Sequence, residues 1–253
     1  MSIMAARSDR ALRTAGEVLL GQCRAMCGGQ VALSAHARAR VVVLLDDLLD
    51  GIENPTNARH QSWASLLSHR SAGRTQLDEM TAELADNTSP QALRRLCAAR
   101  NATLASVLAG NLPVSIRNQF GNSHLVDYLR VTLLELSVLA VLAGGATLQP
   151  AALRMDVRAL SQALGERYPG QTIEVRIPPA SAVQVGAFGE GPTHTRGTPP
   201  NVVETDELTW LRLGTGLLTL DDAMAQGLVT ASGSHFLALE RMLPLIDLAQ
   251  SSS

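Results

Sequence analysis

Lysine is missing altogether: the 21 basic residues of this 253-residue chain are all arginine. That excludes Schiff-base chemistry on a lysine amine and the lysine of a phosphate-binding loop. Charge is sparse, at 17% of residues with a net value of −2. A broad electrostatic footprint for nucleic acid is therefore absent, and no nucleic-acid partner is expected. The three cysteines, Cys23, Cys27 and Cys97, make no even disulfide framework, and no zinc-like second pair of Cys or His follows the C-x3-C spacing. They read as buried apolar residues. The opening "MSIMAARSDRALRTAGEVLL" lacks the apolar core and cleavage site of a secretory signal. No stretch reaches the about 18–20 apolar residues of a membrane span. The nearest, "VTLLELSVLAVLAGG" at 131–145, is short and carries Glu135. A cytoplasmic protein without membrane insertion is expected.

Hydrophobic residues are plentiful at 46%, and the length accommodates one large domain or two ordinary ones. Periodicity changes part-way along. From residue 10 to about 143 the chain reads as helices. "ARARVVVLLDDLLDGI" (37–52) is apolar on most of one face and stops at Gly51. A helix over 62–86 follows the i, i+3, i+4 pattern through Leu66, Leu67, Leu77, Met80 and Leu84. The next begins at Thr88 or Ser89 with Pro90 in the first turn, where its missing N–H costs nothing, and stops at Gly110. A last one runs from about Leu125 to Leu142. Such helices joined by short polar breaks predict an antiparallel bundle.

Beyond the seam "GGATLQP" (144–150) one more helix leads to Pro169-Gly170. "QTIEVRIPP" and "SAVQVGAF" then alternate with the period of strands, and "NVVETD" is a third candidate. Two short helices end at Gly216 and Gly227, "LVTASGS" reads as a strand and "HFLALERMLPLI" as a final helix. The expected fold class is α + (α+β): a helical bundle over 10–145, then an α+β domain over 150–248.

The stretch "VRIPP…GPTHTRGTPPNVVETDELTWLRLGTG" resembles the actinobacterial sterol carrier family, with the sterol-carrier-protein fold over roughly 150–247. That resemblance implies a sheet and covering helices able to enclose an apolar tunnel, with Val185, Phe188, Leu208, Trp210, Leu211 and Leu237 among its candidate walls. Each is equally what an ordinary core needs. The helical half, through "LVDYLRVTLLELSVLAVLAG" (125–144), looks like the DinB-like domain of mycothiol-dependent maleylpyruvate isomerases. In that family the helix carries a Glu-x-x-x-His metal pair, one turn apart on one face. Glu135 stands at the glutamate position here, but Leu139 replaces the histidine, and Asp47 stands nearest a further histidine position. With two imidazoles gone, no metal and no cofactor is expected. Asp46, Asp47 and Glu135 remain as residual oxygen ligands for a hard cation, and Glu135 is otherwise expected to pair with Arg130 or Arg117.

The loop at 192–201 concentrates polar groups in an apolar half. His194, Thr195, Arg196, Thr198 and Asn201, with Trp210 beyond, are the candidate ligand-binding residues. Arg196 offers a planar fork to a carboxylate or phosphate, or pairs with Glu204 or Asp206 while Pro199-Pro200-Asn201 pins a corner. No nucleophile with a paired base is visible, so no catalytic residue is assigned. The expected function is non-catalytic binding or carriage of a lipid or other hydrophobic small molecule. The alternative is a mycothiol-dependent isomerase or transferase with a degenerate metal site; a purely structural interaction module is a third class.

Overall fold

The computed structural model describes residues 3–28, 33–189 and 201–249. The chain divides into two compact units, residues 1–152 and 153–253. The first is helical and the second carries a mixed sheet, an α plus α+β architecture.

The first unit comprises α1 (Ile3–Cys27), α2 (Ala35–Glu53), α3 (Trp63–Ala72), α4 (Arg74–Asp86), α5 (Pro90–Leu108) and α6 (Leu125–Leu142). Its helix starts are chemically marked. The hydroxyls of Ser34, Ser62 and Ser89 accept the free N–H groups of Ala37, Ser65 and Ala92, and Pro90 occupies the first turn of α5. Helix α2 is the packing centre, against α4, α5 and α6, while α1 lies against α5 and α6. The run from Val41 to Leu45 is buried on consecutive positions, as is most of α6 from Tyr128 to Val138. Helices apolar all round in this way sit inside a bundle rather than on its surface.

Two expectations need correction here. The helix foreseen over 62–86 is broken at Gly73, which separates α3 from α4. The Phe120 ring would stand 2.3 Å from any Cβ at that position, so only glycine lets the ring in. The region foreseen as wholly helical also contains a hairpin, β1 (Ser115–Asn118) and β2 (Gly121–His124), paired antiparallel. Of β1's side chains only Ile116 is buried, so the pair carries little of the alternation that betrays a strand. No helix among the described residues is long and apolar enough to cross a membrane.

In the second unit α7 (Pro150–Arg167) begins at the junction. It is followed by β3 (Ile173–Ile177), β4 (Ser181–Val185), β5 (Asn201–Thr205), α8 (Glu207–Gly214), α9 (Leu220–Ala225) and β6 (Val229–Ser232). The sheet order is β4-β3-β5-β6, with β3 and β5 parallel and both outer pairs antiparallel. Register sets Val175 opposite Val183 on one side and Val203 on the other. Ile173, Val175 and Ile177 are buried at alternate positions along β3, as period-two geometry requires. Close approach needs small residues. A Cβ at Gly214 would meet Leu160 at 2.9 Å, packing α8 on α7, and one at Gly165 would meet Val183 at 3.1 Å. The foreseen final helix is a 3-10 helix over Phe236–Arg241.

Candidate functional site

Asp47 and Glu135, the residual metal-ligand candidates, face one another across α2 and α6, but an arginine fills the space between them. Arg70, in the last turn of α3, donates Nε–H to Glu135 Oε1 at 2.5 Å and Nη1–H to Asp47 Oδ2. Its Nη1 also lies 2.7 Å from the Tyr128 hydroxyl, which itself donates to Asp47. Arg40 Nη2 reaches Glu135 Oε2 at 3.5 Å, and Gln119 Nε2 reaches Asp47 Oδ1 at 3.3 Å. All four carboxylate oxygens thus have protein donors. Two equal spacings build the cluster: Arg40 and Asp47 are seven residues apart on α2, and Tyr128 and Glu135 seven apart on α6. Seven residues are two helical turns, so each pair lines one face.

The Arg70 side chain has 0% exposure and its guanidinium carbon stands 4.5 Å from the centre of the Phe120 ring. Burial alone would push its proton off, but the charges of Glu135 and Asp47 outweigh that, and Arg70 is held more firmly protonated than usual. Burial likewise pushes the Tyr128 phenol up; Arg70 opposes this and Asp47 reinforces it, so the ring stays neutral and donates. A divalent ion between Asp47 and Glu135 would need the volume the guanidinium fills and oxygens it already uses. Leu139 offers no replacement ligand one turn along α6. These residues do not fit a metal. Asp46 is elsewhere engaged, bonded to Arg100, and no group of three metal-ligating side chains occurs among the described residues.

The partner expected for Glu135 is corrected by the same geometry. Arg130 bonds Asp127 and stands 6.0 Å from the Trp63 ring centre. Five residues before Glu135 on one helix, it points to a different face. Arg117 is used inside the hairpin, its Nε 3.2 Å from Asn122 Oδ1.

In the second unit His194, Thr195, Arg196 and Thr198 lie outside the described residues. Asn201 is buried, and its amide joins two backbones: Nδ2 donates to Thr172 O at 2.9 Å and Oδ1 accepts from His235 N at 2.9 Å. Those two partners fix the amide's orientation. Trp210 is 1% exposed, and its indole N–H has no partner among the described residues. Of the candidate tunnel walls, Val185, Trp210 and Leu211 are buried, whereas Phe188, Leu208 and Leu237 are exposed.

Phe188 and Leu237 come together at a groove of about 220 Å³, lined also by Ser234, His235, Ala238 and Arg241. Phe188 is 44% exposed with φ of 56°, the one non-glycine among the described residues in the left-handed region, a costly conformation for an aromatic residue. Two contacts hold it there. Tyr168 meets the ring edge-on at 5.7 Å, and the guanidinium of Arg241 lies over its face at 4.2 Å. Asn201, through the His235 N–H, braces a residue that lines the groove.

Residues 149–245 match the family model described as a bacterial SCP ortholog. The second unit is similar to that family. No curated protein sequence matches the chain. Two solved structures of a mycothiol-dependent maleylpyruvate isomerase, one of them a mutant, are similar at 15% identity, over 90% of this chain and 92% of theirs, each with a TM-score of 0.49.

Sequence reasoning found Asp47 and Glu135 but missed Arg70, Arg40 and Tyr128. The repeated seven-residue spacing was the available signal for the last two. It also missed Arg241, whose partner Phe188 is distant in the chain.

Proposed function

We propose that the second unit binds a small amphiphile, a lipid or other hydrophobic molecule with an acidic head, at the groove of Phe188, Leu237 and Arg241. The observation that carries this reading is Phe188, kept exposed in a strained conformation between Tyr168 and Arg241. An aromatic ring that served only the core would be buried and relaxed. Leu237, 49% exposed on the same groove, adds apolar surface that a ligand would cover. Arg241 supplies a planar fork for carboxylate or phosphate, and its stacking on the ring fixes the fork's plane. The match of residues 149–245 to the SCP family supports the class of ligand.

Volume narrows the proposal. Pockets for drug-sized ligands run from about 300 Å³ upwards, so about 220 Å³ takes a head group and the first part of a chain. Binding is proposed without catalysis, since among the described residues the groove has no hydroxyl whose paired imidazole is in turn oriented by a carboxylate. Its hydroxyl, Ser234, is bonded to the neighbouring His235 ring at 3.0 Å and lies at the exposed rim.

Native against denaturing mass spectrometry of freshly purified protein is the first test, with an acidic amphiphile expected to leave on denaturation. Displacement of a dansyl-labelled fatty acid then locates the site. Losing a charge-assisted hydrogen bond costs about 1.5–3 kcal/mol, so Arg241→Gln should weaken the probe at least about tenfold. Leu237→Asp should weaken it through the apolar wall. Unchanged affinity in both variants would refute the groove as the site.

A further inference from the structure

The floor of the groove is one face of the short 3-10 helix, and the helix geometry says which residues share it. The Ala238 N–H donates to His235 O at 3.1 Å, so the three-residue turns begin at His235. Three residues per turn stack His235, Ala238 and Arg241 above one another. The same three residues line the groove. A rise of about 2.0 Å per residue sets the His235 and Arg241 backbones about 12 Å apart. Alanine between them adds only a methyl group, which leaves the middle of the floor open and apolar.

The two ends of this floor differ in chemistry. Arg241 is held over the Phe188 ring and makes no ion pair among the described residues. None of the described lining residues is a carboxylate, so the cation at this end has no counter-ion in the groove. At the other end Ser234 Oγ and His235 Nδ1 stand 3.0 Å apart. If the hydroxyl donates, its oxygen keeps a lone pair for a ligand; if the ring donates, the hydroxyl hydrogen is left for one. The couple thus offers a neutral hydrogen bond in either tautomer. A ligand hydroxyl, itself both donor and acceptor, matches both cases. The His235 N–H, bonded to Asn201 Oδ1 at 2.9 Å, anchors this end to β5.

We infer that the groove selects a hydroxylated acid. Its acid group pairs with Arg241, its apolar chain crosses Ala238, and a hydroxyl farther along that chain bonds the Ser234–His235 couple. The inference rests on the function proposed for the groove and adds the ligand class. A plain alkyl chain would cover Ser234 and His235 and take their water without replacing its hydrogen bonds, whereas a hydroxyl replaces them. Ala238 then decides which chains pass, since a larger side chain rises into the path between the two ends.

The test is displacement of the dansyl-labelled fatty acid from the full chain by ω-hydroxyoctanoic acid and, separately, by octanoic acid. Apolar burial alone favours octanoic acid. The wild-type protein is expected to reverse that order, with the hydroxy acid binding about fivefold tighter, the size of one net hydrogen bond. Ser234→Ala with His235→Phe should restore the preference for octanoic acid. Ala238→Leu should weaken both acids about tenfold by overfilling the floor, and Ala238→Val gives the milder form if leucine unfolds the domain in a thermal melt. Equal affinities, or octanoic acid the tighter in the wild type, would overturn the inference and leave the acidic-amphiphile reading standing. A dansyl probe that does not bind would overturn both. A preference for the hydroxy acid that survives in the double variant would show that its hydroxyl lies elsewhere, and unchanged affinities in a folded Ala238→Leu would do the same for the chain. Because the wild-type comparison decides alone, a variant that fails to fold does not protect the inference.

Discussion

Arg70 and Glu135, 65 residues apart in sequence, are joined by an Nε–H to Oε1 hydrogen bond of 2.5 Å in the interior of the helical unit. The bond replaces one kind of charge balance with another: a side chain of the protein supplies the cation that two buried carboxylates require. Removing it strands Asp47 and Glu135 in a low-dielectric site. Breaking a buried pair from one side costs about 3–5 kcal/mol, and Arg70→Met should lower unfolding stability in urea by that order. Adding Glu135→Leu should recover part of the loss, since an apolar pair of similar volume is often neutral. A single-variant loss below about 1 kcal/mol would mean the carboxylates had taken up protons or water instead.

The guanidinium also governs whether metal affinity can be restored. Leu139→His returns an imidazole to the position one turn from Glu135, but Arg70 still holds both carboxylates. The single variant should bind no divalent ion in calorimetric titration with zinc, whereas Leu139→His with Arg70→Ala should bind it, having three ligands and an open space. Zinc binding by the single variant would show that Arg70 moves aside readily.

How far this arrangement can be read from sequence differs from residue to residue. Ser89 and Pro90 announce the start of α5 because capping is local chemistry, decided within four residues. The strands β3 and β4 are legible because their alternation repeats inside five residues. Glu135 stands out as a charge in an apolar helix. Arg70 does not, since its partners lie on other helices and nothing at i±4 marks it. The hairpin at 115–124 escapes for a related reason. It is fixed by long-range contacts, Arg117 N–H to Asn54 O at 2.9 Å and Thr56 N–H to Ser115 O at 3.1 Å, and not by its own composition. The groove is the extreme case: Phe188 and Arg241 stand far apart in sequence and meet only through the tertiary fold.

Assembly of that sheet depends on a backbone contact that tolerates no side chain. A Cβ at Gly170 would lie 2.4 Å from the Gly186 Cα and 2.5 Å from its nitrogen. The same crossing carries the hydrogen bonds Gly186 N–H to Tyr168 O and Thr172 N–H to Val185 O, at 3.0 and 2.9 Å. Gly170→Ala must therefore move backbone and not merely a rotamer. Overpacking costs about 1–3 kcal/mol, and the thermal midpoint should fall accordingly. Because Tyr168 supports Phe188, the dansyl probe should also bind more weakly to this variant.

Asp206 should govern the acid limb of stability in the second unit. It caps α8, accepting the N–H groups of Leu208 and Thr209 at 2.9 Å each and the Thr209 hydroxyl at 2.6 Å. Partial burial would raise its pKa, but these hydrogen bonds outweigh that and hold it below the usual carboxylate value. A depressed folded-state pKa contributes stability that is complete above the unfolded value, about 3.9, and is lost as pH falls through the folded value. Asp206→Ala should cost about 1 kcal/mol at pH 7. Asp206→Asn keeps the cap's geometry without the titration. Its stability difference from the wild type should stay constant above about pH 5 and change only below about pH 4, where the aspartate protonates. Urea unfolding of both proteins across pH 3–7 measures this directly, and parallel curves over the whole range would show that the cap acts through geometry alone.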